Sequence, residues 1–233
     1  MTATSSRTVV GIRRYPVKAM VGESLPRAAL DGRGLVGDRA LAVADGEGRF
    51  ASLKDTRRFR RRDAVAGYRA TTRDDGAVEV SHGTASWQVG DPALDQELGR
   101  ACGTPVSVVA EAAVPHHDDG AVSLVGTASL RWCADRWGVD ADPRRLRVNL
   151  LVETAEPFEE ESWLGESLRV GGVTLRVVQR VERCRTIDVA QDGLAEGERW
   201  LKRLGAERDL RLAVYADVVD PGVIRLRDTV TRG

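Results

Sequence analysis

The strongest constraint on the fold is the repeated occurrence of short apolar runs between glycine and proline turns. Residues 8–15, 41–43 and 122–125 have the length and alternation of strands. Residues 45–46 form an Asp-Gly pair of the kind found in hairpin turns. The runs do not alternate regularly with helices, as a parallel α/β sheet would require. The sequence therefore predicts a mainly β, α+β fold with an antiparallel, barrel-like architecture and a few short helices.

The other predicted elements follow from the same patterns. Strands are expected at residues 49–52, 68–72, 78–81, 86–89, 106–109, 150–152, 212–218 and 223–226, and helices at 93–101, 127–137 and 196–204. The texture of the sequence changes near residues 104–111. We therefore expect two parts, 1–105 and 106–233.

Composition narrows the class of protein. The 233 residues carry 35 Lys and Arg against 35 Asp and Glu, so no global positive field favours nucleic acid or an anionic membrane. The three cysteines are widely spaced and odd in number, as in a reduced cytosolic protein. The polar N-terminus lacks a signal-peptide core, and 18 apolar residues never occur together. These features predict a soluble, cytoplasmic protein without a nucleic-acid or membrane partner.

Cys184 follows an alternating apolar run and lies between Arg183 and Arg185. In a strand, Val173–Val181 would place alternate valines and Leu175 on the core face, and Cys184 would point the other way. The flanking arginines would favour a thiolate, which attacks electrophiles or ligates a soft metal. From this pattern alone, an exposed cysteine among ordinary surface arginines remains the alternative.

Three polar clusters are further candidates for a functional site. Residues 57–62, RRFRRR, resemble a phosphate or nucleic-acid patch, but a solvated face with Phe59 as its anchor is the preferred interpretation. His116 and His117 are adjacent, so we expect a flexible polar loop rather than a metal site. Residues 159–161 could be paired acid/base carboxylates, but a solvated turn anchored by Trp163 is preferred.

Five motifs occur in an order that resembles the MOSC family, the molybdenum-cofactor sulfurase C-terminal domain group. They are YPVKAM at 15–20, GLVGDR at 34–39, the arginine-rich stretch through 147–149, PFEEESW at 157–163 and RCRTIDVAQDG at 183–193. The chain is most similar to two-part members such as the amidoxime-reducing component and its bacterial relatives. This resemblance implies a MOSC-type β-barrel with short peripheral helices, preceded by an N-terminal β-barrel-like subdomain.

The resemblance also implies a molybdenum cofactor, Mo-molybdopterin, bound between the two parts. Cys184 matches the family's metal-ligating cysteine, and thiolate sulfur is a soft ligand. Lys18 and Arg39 match residues that contact the pterin and its phosphate.

Other residues match the family's cleft. Arg147 and Asn149 belong to its basic lining, and we expect Arg183 and Arg185 to contribute there as well. Asp118 falls where relatives carry an acidic residue near the metal, with Asp119 as the alternative alignment.

The implied activity is reduction of N-hydroxylated compounds such as hydroxylamines, amidoximes and N-hydroxylated bases. Some relatives carry a C-terminal ferredoxin-type domain that is not seen in this sequence, so we expect electrons from a separate flavin reductase or ferredoxin-type protein. The alternative is a molybdenum-cofactor or sulfur carrier that uses Cys184. A nucleic-acid-binding barrel ranks below both.

Overall fold

A computed structural model describes residues 7–196 and 198–233. Within them the strands are β1 Arg7–Arg14, β2 Glu23–Ser24, β3 Arg27–Asp31, β4 Gly34–Leu35, β5 Leu41–Asp45, β6 Phe50–Ser52, β7 Phe59–Arg61, β8 Arg69–Thr72, β9 Val78–His82, β10 Ala85–Gln88, β11 Val106–Ala110, β12 Val122–Gly126, β13 Leu150–Val152, β14 Ser167–Val170, β15 Val173–Glu182, β16 Arg211–Asp220, β17 Gly222–Arg225 and β18 Thr229–Arg232. The α-helices are α1 Pro92–Cys102, α2 Thr127–Trp137 and α3 Trp200–Glu207. The expectation that the chain has no signal peptide concerns residues 1–6, which lie outside the described residues.

Seven strands close into a barrel in the order β13, β12, β16, β15, β14, β18 and β1, with β1 pairing back onto β13. The pairs are antiparallel except β12 with β13. Closure leaves these strands without a free edge, which is the usual solution for antiparallel sheets of this size. The predicted mainly β barrel with few helices is confirmed.

The remaining strands form three smaller sheets. One has the order β11, β5, β6 and β7, the second β10, β9 and β8, and the third β17, β3 and β4. Helix α1 packs on β11, and Leu94 and Leu98 enter the core beneath it. The proposed division into 1–105 and 106–233 remains a prediction, and strand pairing crosses it where β1 meets β13 and β18, β3 meets β17 and β5 meets β11.

Side chains at alternate positions of β15 point into the protein core. Val173, Leu175, Val177 and Val181 are buried, while the residues between them are mostly exposed. Each buried side chain of this size contributes about 1.5–3 kcal/mol through removal of apolar surface from water. Trp163 is fully buried in the same core, as predicted. The parity assigned to this strand from the sequence is therefore correct.

The helices begin and end where local chemistry allows. In α1, the Asp91 carboxylate accepts a hydrogen bond from the Ala93 amide at 2.8 Å, and Gly103 ends the helix at φ +69°. Helix α2 begins at Thr127, as expected, and ends at Gly138. The third helix starts at Trp200 rather than at residue 196, because the Asp188 carboxylate accepts from the Trp200 amide; residue 197 of that prediction lies outside the described residues.

Several expectations need correction. The short strands β2, β3, β4, β7, β14 and β18 were not expected. Strands β2 and β4 have two residues each, which is too few to show an alternation, whereas β3 alternates over five residues and was missed. Residues 159–161 are not a solvated turn throughout. The Glu160 side chain is fully buried and accepts from Ser129 Oγ at 2.8 Å beside the first turn of α2, and burial raises its pKa. The residues that the structure describes contain no helix long and apolar enough to cross a membrane.

Candidate functional site

A cleft of about 840 Å³, partly open to solvent, lies between the barrel and the N-terminal sheets. From the N-terminal part it is lined by Lys18, Ala19, Arg39, Ser52, Leu53 and Lys54, and from the barrel part chiefly by Asp118, Arg147, Asn149, Arg183, Cys184 and Tyr215. Five segments that were predicted to converge from distant parts of the sequence therefore meet here. They are the segments that carry Lys18, Arg39, Asp118, Arg147 and Cys184.

Cys184 lies two residues past the end of β15, at the start of the 3-10 helix Arg185–Asp188. Its side chain is half-buried, and its Sγ lies 3.4 Å from Thr186 Oγ1. The sulfur has no other hydrogen-bond contact among residues 7–196 and 198–233. In contrast, Cys133 is buried in the core, as predicted, and burial raises its pKa to about 12.

The segment that carries Cys184 is held by buried side chains. Arg145 donates to the Ile187 carbonyl at 3.2 Å. Gln191 Nε2 donates to the Thr186 carbonyl at 2.8 Å, and its Oε1 accepts from Arg147 at 3.3 Å. These bonds leave the backbone of a short 3-10 turn with little freedom, and they fix the position of the sulfur relative to the Arg147 guanidinium.

Asp192 anchors the end of that segment. Its carboxylate lies 2.7 Å from Arg13 and 2.8 Å from Arg69, and Arg144 donates to its backbone carbonyl at 2.8 Å. The three arginines come from β1, β8 and the loop before β13. Asp192 therefore ties the Cys184 segment to both parts of the chain.

Lys18 and Asp118 form an ion pair inside the cleft. Lys18 is 4% exposed, and its Nζ donates to Asp118 Oδ1 at 3.0 Å and to the His116 carbonyl at 2.7 Å. Burial lowers the pKa of Lys18 to about 8 despite the pairing. Burial alone would raise the pKa of Asp118, but Lys18 and Lys54 hold it well below its usual range, so the carboxylate is ionised at neutral pH.

The histidines of this loop are packed rather than flexible. His116 is 1% exposed, packs edge-on against Phe50 and donates from Nδ1 to the Arg39 carbonyl at 3.1 Å. His117 Nε2 lies 3.1 Å from the Asp38 carbonyl. Among the described residues, no group of three metal-ligating side chains forms around them. The expectation of a flexible loop is therefore corrected for the two histidines, which are packed, although most other residues of the loop are exposed.

The guanidinium groups of Arg39 and Arg147 lie over the Tyr15 ring, at 4.8 and 4.4 Å from its centre. Arg39 is paired with Asp38 and donates to the Arg147 carbonyl at 3.0 Å. Arg147 donates to the Met20 carbonyl at 2.7 Å, and burial lowers its pKa to about 10, which still leaves it cationic at neutral pH. Two guanidinium groups thus share one aromatic platform in the cleft wall.

Three cleft residues have left-handed backbone: Ala19 at φ +66°, Arg39 at +50° and Arg147 at +54°. For residues with a side chain this conformation costs about 1–2 kcal/mol each. Such strain is typically found where the surrounding structure fixes a side chain for function. Here it directs the Lys18–Ala19 bend and both arginines toward the same space.

The other predicted site residues differ in their placement. Asn149 lines the cleft, but its Oδ1 accepts from the Ser123 amide and hydroxyl and its Nδ2 donates to the Arg13 carbonyl, so its side chain is used to join β12 and β1. Arg183 faces the cleft and donates to the Leu146 carbonyl, and burial lowers its pKa.

Arg185 lies outside the cleft. Its guanidinium donates to Asp63 at 2.9 and 3.0 Å and to the Leu53 carbonyl at 2.8 Å. It therefore fastens the Cys184 segment to the N-terminal part, and this geometry does not support the prediction that it binds a cofactor. The sequence pattern could not separate the two flanking arginines, because alternation ends with β15.

Sequence reasoning missed Lys54, Thr186, Gln191 and Tyr215. Lys54 was included in no motif, although it adjoins the basic run, and Thr186 and Gln191 lie inside the RCRTIDVAQDG motif. Tyr215 is half-buried in the apolar strand β16, and burial raises its pKa. A tyrosine within an otherwise aliphatic strand was the available signal.

The donor set fits an anionic, sulfur-ligated group. Four cationic side chains, Lys18, Arg39, Arg147 and Arg183, line a partly buried space together with the Cys184 thiol. Burial opposes the charge of each of them, and an anion between them would offset that cost. Guanidinium forks suit phosphate oxygens, and a thiolate suits a soft metal.

Fold and cleft together define a β-barrel protein whose cleft is lined by cationic side chains and a cysteine. Residues 6–98 match the family described as MOSC N-terminal beta barrel domain, and residues 111–231 match the MOSC domain. The chain belongs to the MOSC family. The resemblance found in the sequence motifs is thereby confirmed.

A solved structure of low sequence identity shares the fold, and a second one is less similar. The YUAD protein from Bacillus subtilis is 13% identical, with a TM-score of 0.50 over 97% of this chain and 94% of that chain. YiiM from Geobacillus stearothermophilus is 14% identical, with a TM-score of 0.40 over 70% and 72% of the two chains. No curated protein sequence matches the chain.

Proposed function

We propose that this protein is a molybdenum-cofactor-dependent reductase of N-hydroxylated compounds. The observation that carries the proposal is the convergence of Cys184 with buried cations from both parts of the chain on one cleft. The MOSC domain is generally associated with molybdenum-cofactor binding, and the donor chemistry of this cleft agrees with that association.

Different residues of the cleft would bind different parts of the cofactor. Cys184 would supply a thiolate ligand to the metal, since among the described residues its sulfur has a hydrogen-bond partner only in Thr186 Oγ1. Lys18, Arg39 and Arg147 would donate to the phosphate and to the edges of the pterin. Arg183, whose guanidinium is buried beside Cys184, would balance the negative charge of the thiolate.

The overall reaction converts R–NHOH, two electrons and two protons into R–NH2 and water. When bound, the cofactor would supply the two-electron chemistry that breaks the N–O bond. Lys18 would donate a proton toward the leaving oxygen, because its lowered pKa of about 8 places it close to neutral pH. Asp118, ionised beside it, would hold the ammonium in position.

The central experiment compares the wild type with Cys184→Ser after purification from a host that makes the cofactor. We expect molybdenum and pterin content to fall at least about tenfold, since a metal ligand is lost. Benzamidoxime reduction with a chemical electron donor should fall in parallel. Cys102→Ser is the matched control, because Cys102 lies on α1 and does not line the cleft.

Two results would contradict the proposal. Full molybdenum content and activity in Cys184→Ser would show that Cys184 is not a ligand in the site. A wild-type protein without molybdenum or pterin, but with a sulfur adduct on Cys184 by mass spectrometry, would instead indicate a sulfur carrier.

A further inference from the structure

Residues 54–63, called the basic segment below, have a charge unlike the rest of the chain. The segment has six cationic and two acidic residues, in a protein whose net charge is zero. Such a concentration creates a local positive potential that the whole molecule lacks. Nothing in the proposed binding of cofactor or substrate uses most of these charges.

The basic segment lies at the opening of the cleft. Lys54 lines the cleft, and Arg58 donates to the carbonyls of His117 at 3.0 Å and Asp118 at 3.4 Å. On its other side, Asp63 pairs with Arg185, the residue after Cys184, at 2.9 Å. The segment therefore contacts both the acidic loop and the cysteine segment of the site.

Its charges are available to a partner. Arg57 is exposed, and neither Arg57 nor Arg58 has a carboxylate within 4.0 Å in the part of the chain that the structure describes. Arg60 and Arg61 are 37% and 48% exposed and have only surface partners, which bind weakly in water. The rim of the cleft is thus positively charged.

The aromatic residue of the segment argues against single-stranded nucleic acid. Phe59 is 3% exposed, packs in the small core under β5 and β6, and carries Lys18, Lys54 and Arg58 around its ring at 4.2, 5.6 and 4.6 Å. A ring in this position cannot stack on a base, so the platform that single strands require is absent. What remains is charge without a stacking surface.

We propose that the basic segment is the docking surface for an acidic electron-carrier protein. This inference rests on the proposed function, in which each turnover needs two electrons from outside the chain. Transient redox partners use small interfaces and charge complementarity, which orients the partner and speeds association. A positive surface beside the Cys184 cleft would bring the redox group of such a carrier close to the site.

The binding test uses Arg57→Glu/Arg60→Glu against the control Arg169→Glu/Arg176→Glu. The control arginines are exposed on β14 and β15 and reverse the same charge on the outside of the barrel. The probes are an acidic [2Fe–2S] ferredoxin and an acidic flavodoxin, with dissociation constants measured by calorimetry at low and physiological ionic strength. We expect salt-sensitive binding that weakens about tenfold in the first variant and less than about twofold in the control.

The kinetic test uses the same carriers as electron donors. In Arg57→Glu/Arg60→Glu, the KM for the carrier should rise about tenfold, while benzamidoxime reduction with reduced methyl viologen should stay at the wild-type rate. A loss with methyl viologen as well would assign the segment to substrate binding and overturn the docking proposal.

Other outcomes also overturn it. These are the absence of salt-sensitive binding to both carriers, equal effects of the two charge reversals, and tighter binding to a single-stranded RNA probe or to anionic lipid vesicles than to either carrier. Failure of the proposed function is distinguishable. If the protein reduces no N-hydroxylated compound but binds the carriers, and the Arg57→Glu/Arg60→Glu variant weakens that binding, the docking proposal holds and the reductase proposal is wrong.

Discussion

Single side chains in this protein connect segments that are far apart in the sequence. Gln191 joins the Thr186 carbonyl to the Arg147 guanidinium, and so it couples the cysteine segment to the cationic wall. The motifs were sufficient to predict that Lys18, Arg39 and Arg147 belong to the site. They could not identify Gln191 or Tyr215, because the roles of these residues depend on neighbours from other elements.

Gln191→Ala should loosen the cysteine segment without unfolding the protein. We expect the molybdenum content after purification to fall about tenfold, as is usual when an outer partner of a metal ligand is lost, with little change in Tm. Metal analysis and thermal denaturation provide the readouts. Gln96→Ala, at an exposed position on α1, is the control and should retain full loading. Equal loading of the two variants would show that Gln191 does not position the site.

At the scale of elements, the loop between β11 and β12 is ordered by one carboxylate. Glu111 accepts two hydrogen bonds from Arg33, at 2.5 and 2.6 Å, and one from the His116 amide at 2.7 Å. The same loop presents the His116 carbonyl and Asp118 to Lys18. A polar sequence with two adjacent histidines was consistent with a flexible loop. The groups that hold the loop, among them Arg33, Lys18 and the Arg39 carbonyl, come from other elements.

Glu111→Gln should lower the free energy of unfolding by about 1–2 kcal/mol at pH 7, allowing for partial exposure of the pair. Hydrogen bonds from Arg33 lower the pKa of Glu111 from its ordinary value of 4.5 to about 2. The folded state then binds fewer protons than the unfolded state between these values. The stabilisation is therefore complete above pH 4.5 and is lost as pH falls toward 2.

Denaturant titrations at pH 7 and near pH 3 check this. The difference in free energy of unfolding between the wild type and Glu111→Gln should be smaller at the lower pH. Glu156→Gln, at an exposed position, is the control and should stay within about 0.5 kcal/mol of the wild type at both. A gap that is independent of pH would show that the carboxylate charge does not stabilise the loop.

At the scale of the whole molecule, the two predicted parts are interleaved. Strand β1 pairs with β13 and with β18 and so closes the barrel formed by later strands. Strand β3 pairs with β17 in the same way. The barrel core includes Val9, Ile12 and Leu30 from the first part. The sheets thus make the stability of residues 106–233 depend on the first 35 residues.

A fragment of residues 106–233 should therefore fail to fold by itself. Without β1, strands β13 and β18 would expose their edges, and such edges promote aggregation. We expect an insoluble or non-cooperative product by size-exclusion chromatography and near-ultraviolet circular dichroism, whereas a fragment of residues 7–233 should unfold cooperatively. A soluble 106–233 fragment with a cooperative transition would establish it as an independent domain.

The sequence by itself determined the β class, the alternation along β15 and the bounds of α2, because each of these depends on local period or composition. The resemblance to the MOSC family predicted the motif residues that reach the cleft. The tertiary structure alone decided which strands close the barrel, why Arg183 faces the cleft while Arg185 pairs with Asp63, and why Glu160 and His116 are buried. Those outcomes depend on pairing and desolvation between residues far apart in the chain. Cys184 shows both: its motif identified it, and its half-buried position among distant cations made it a site.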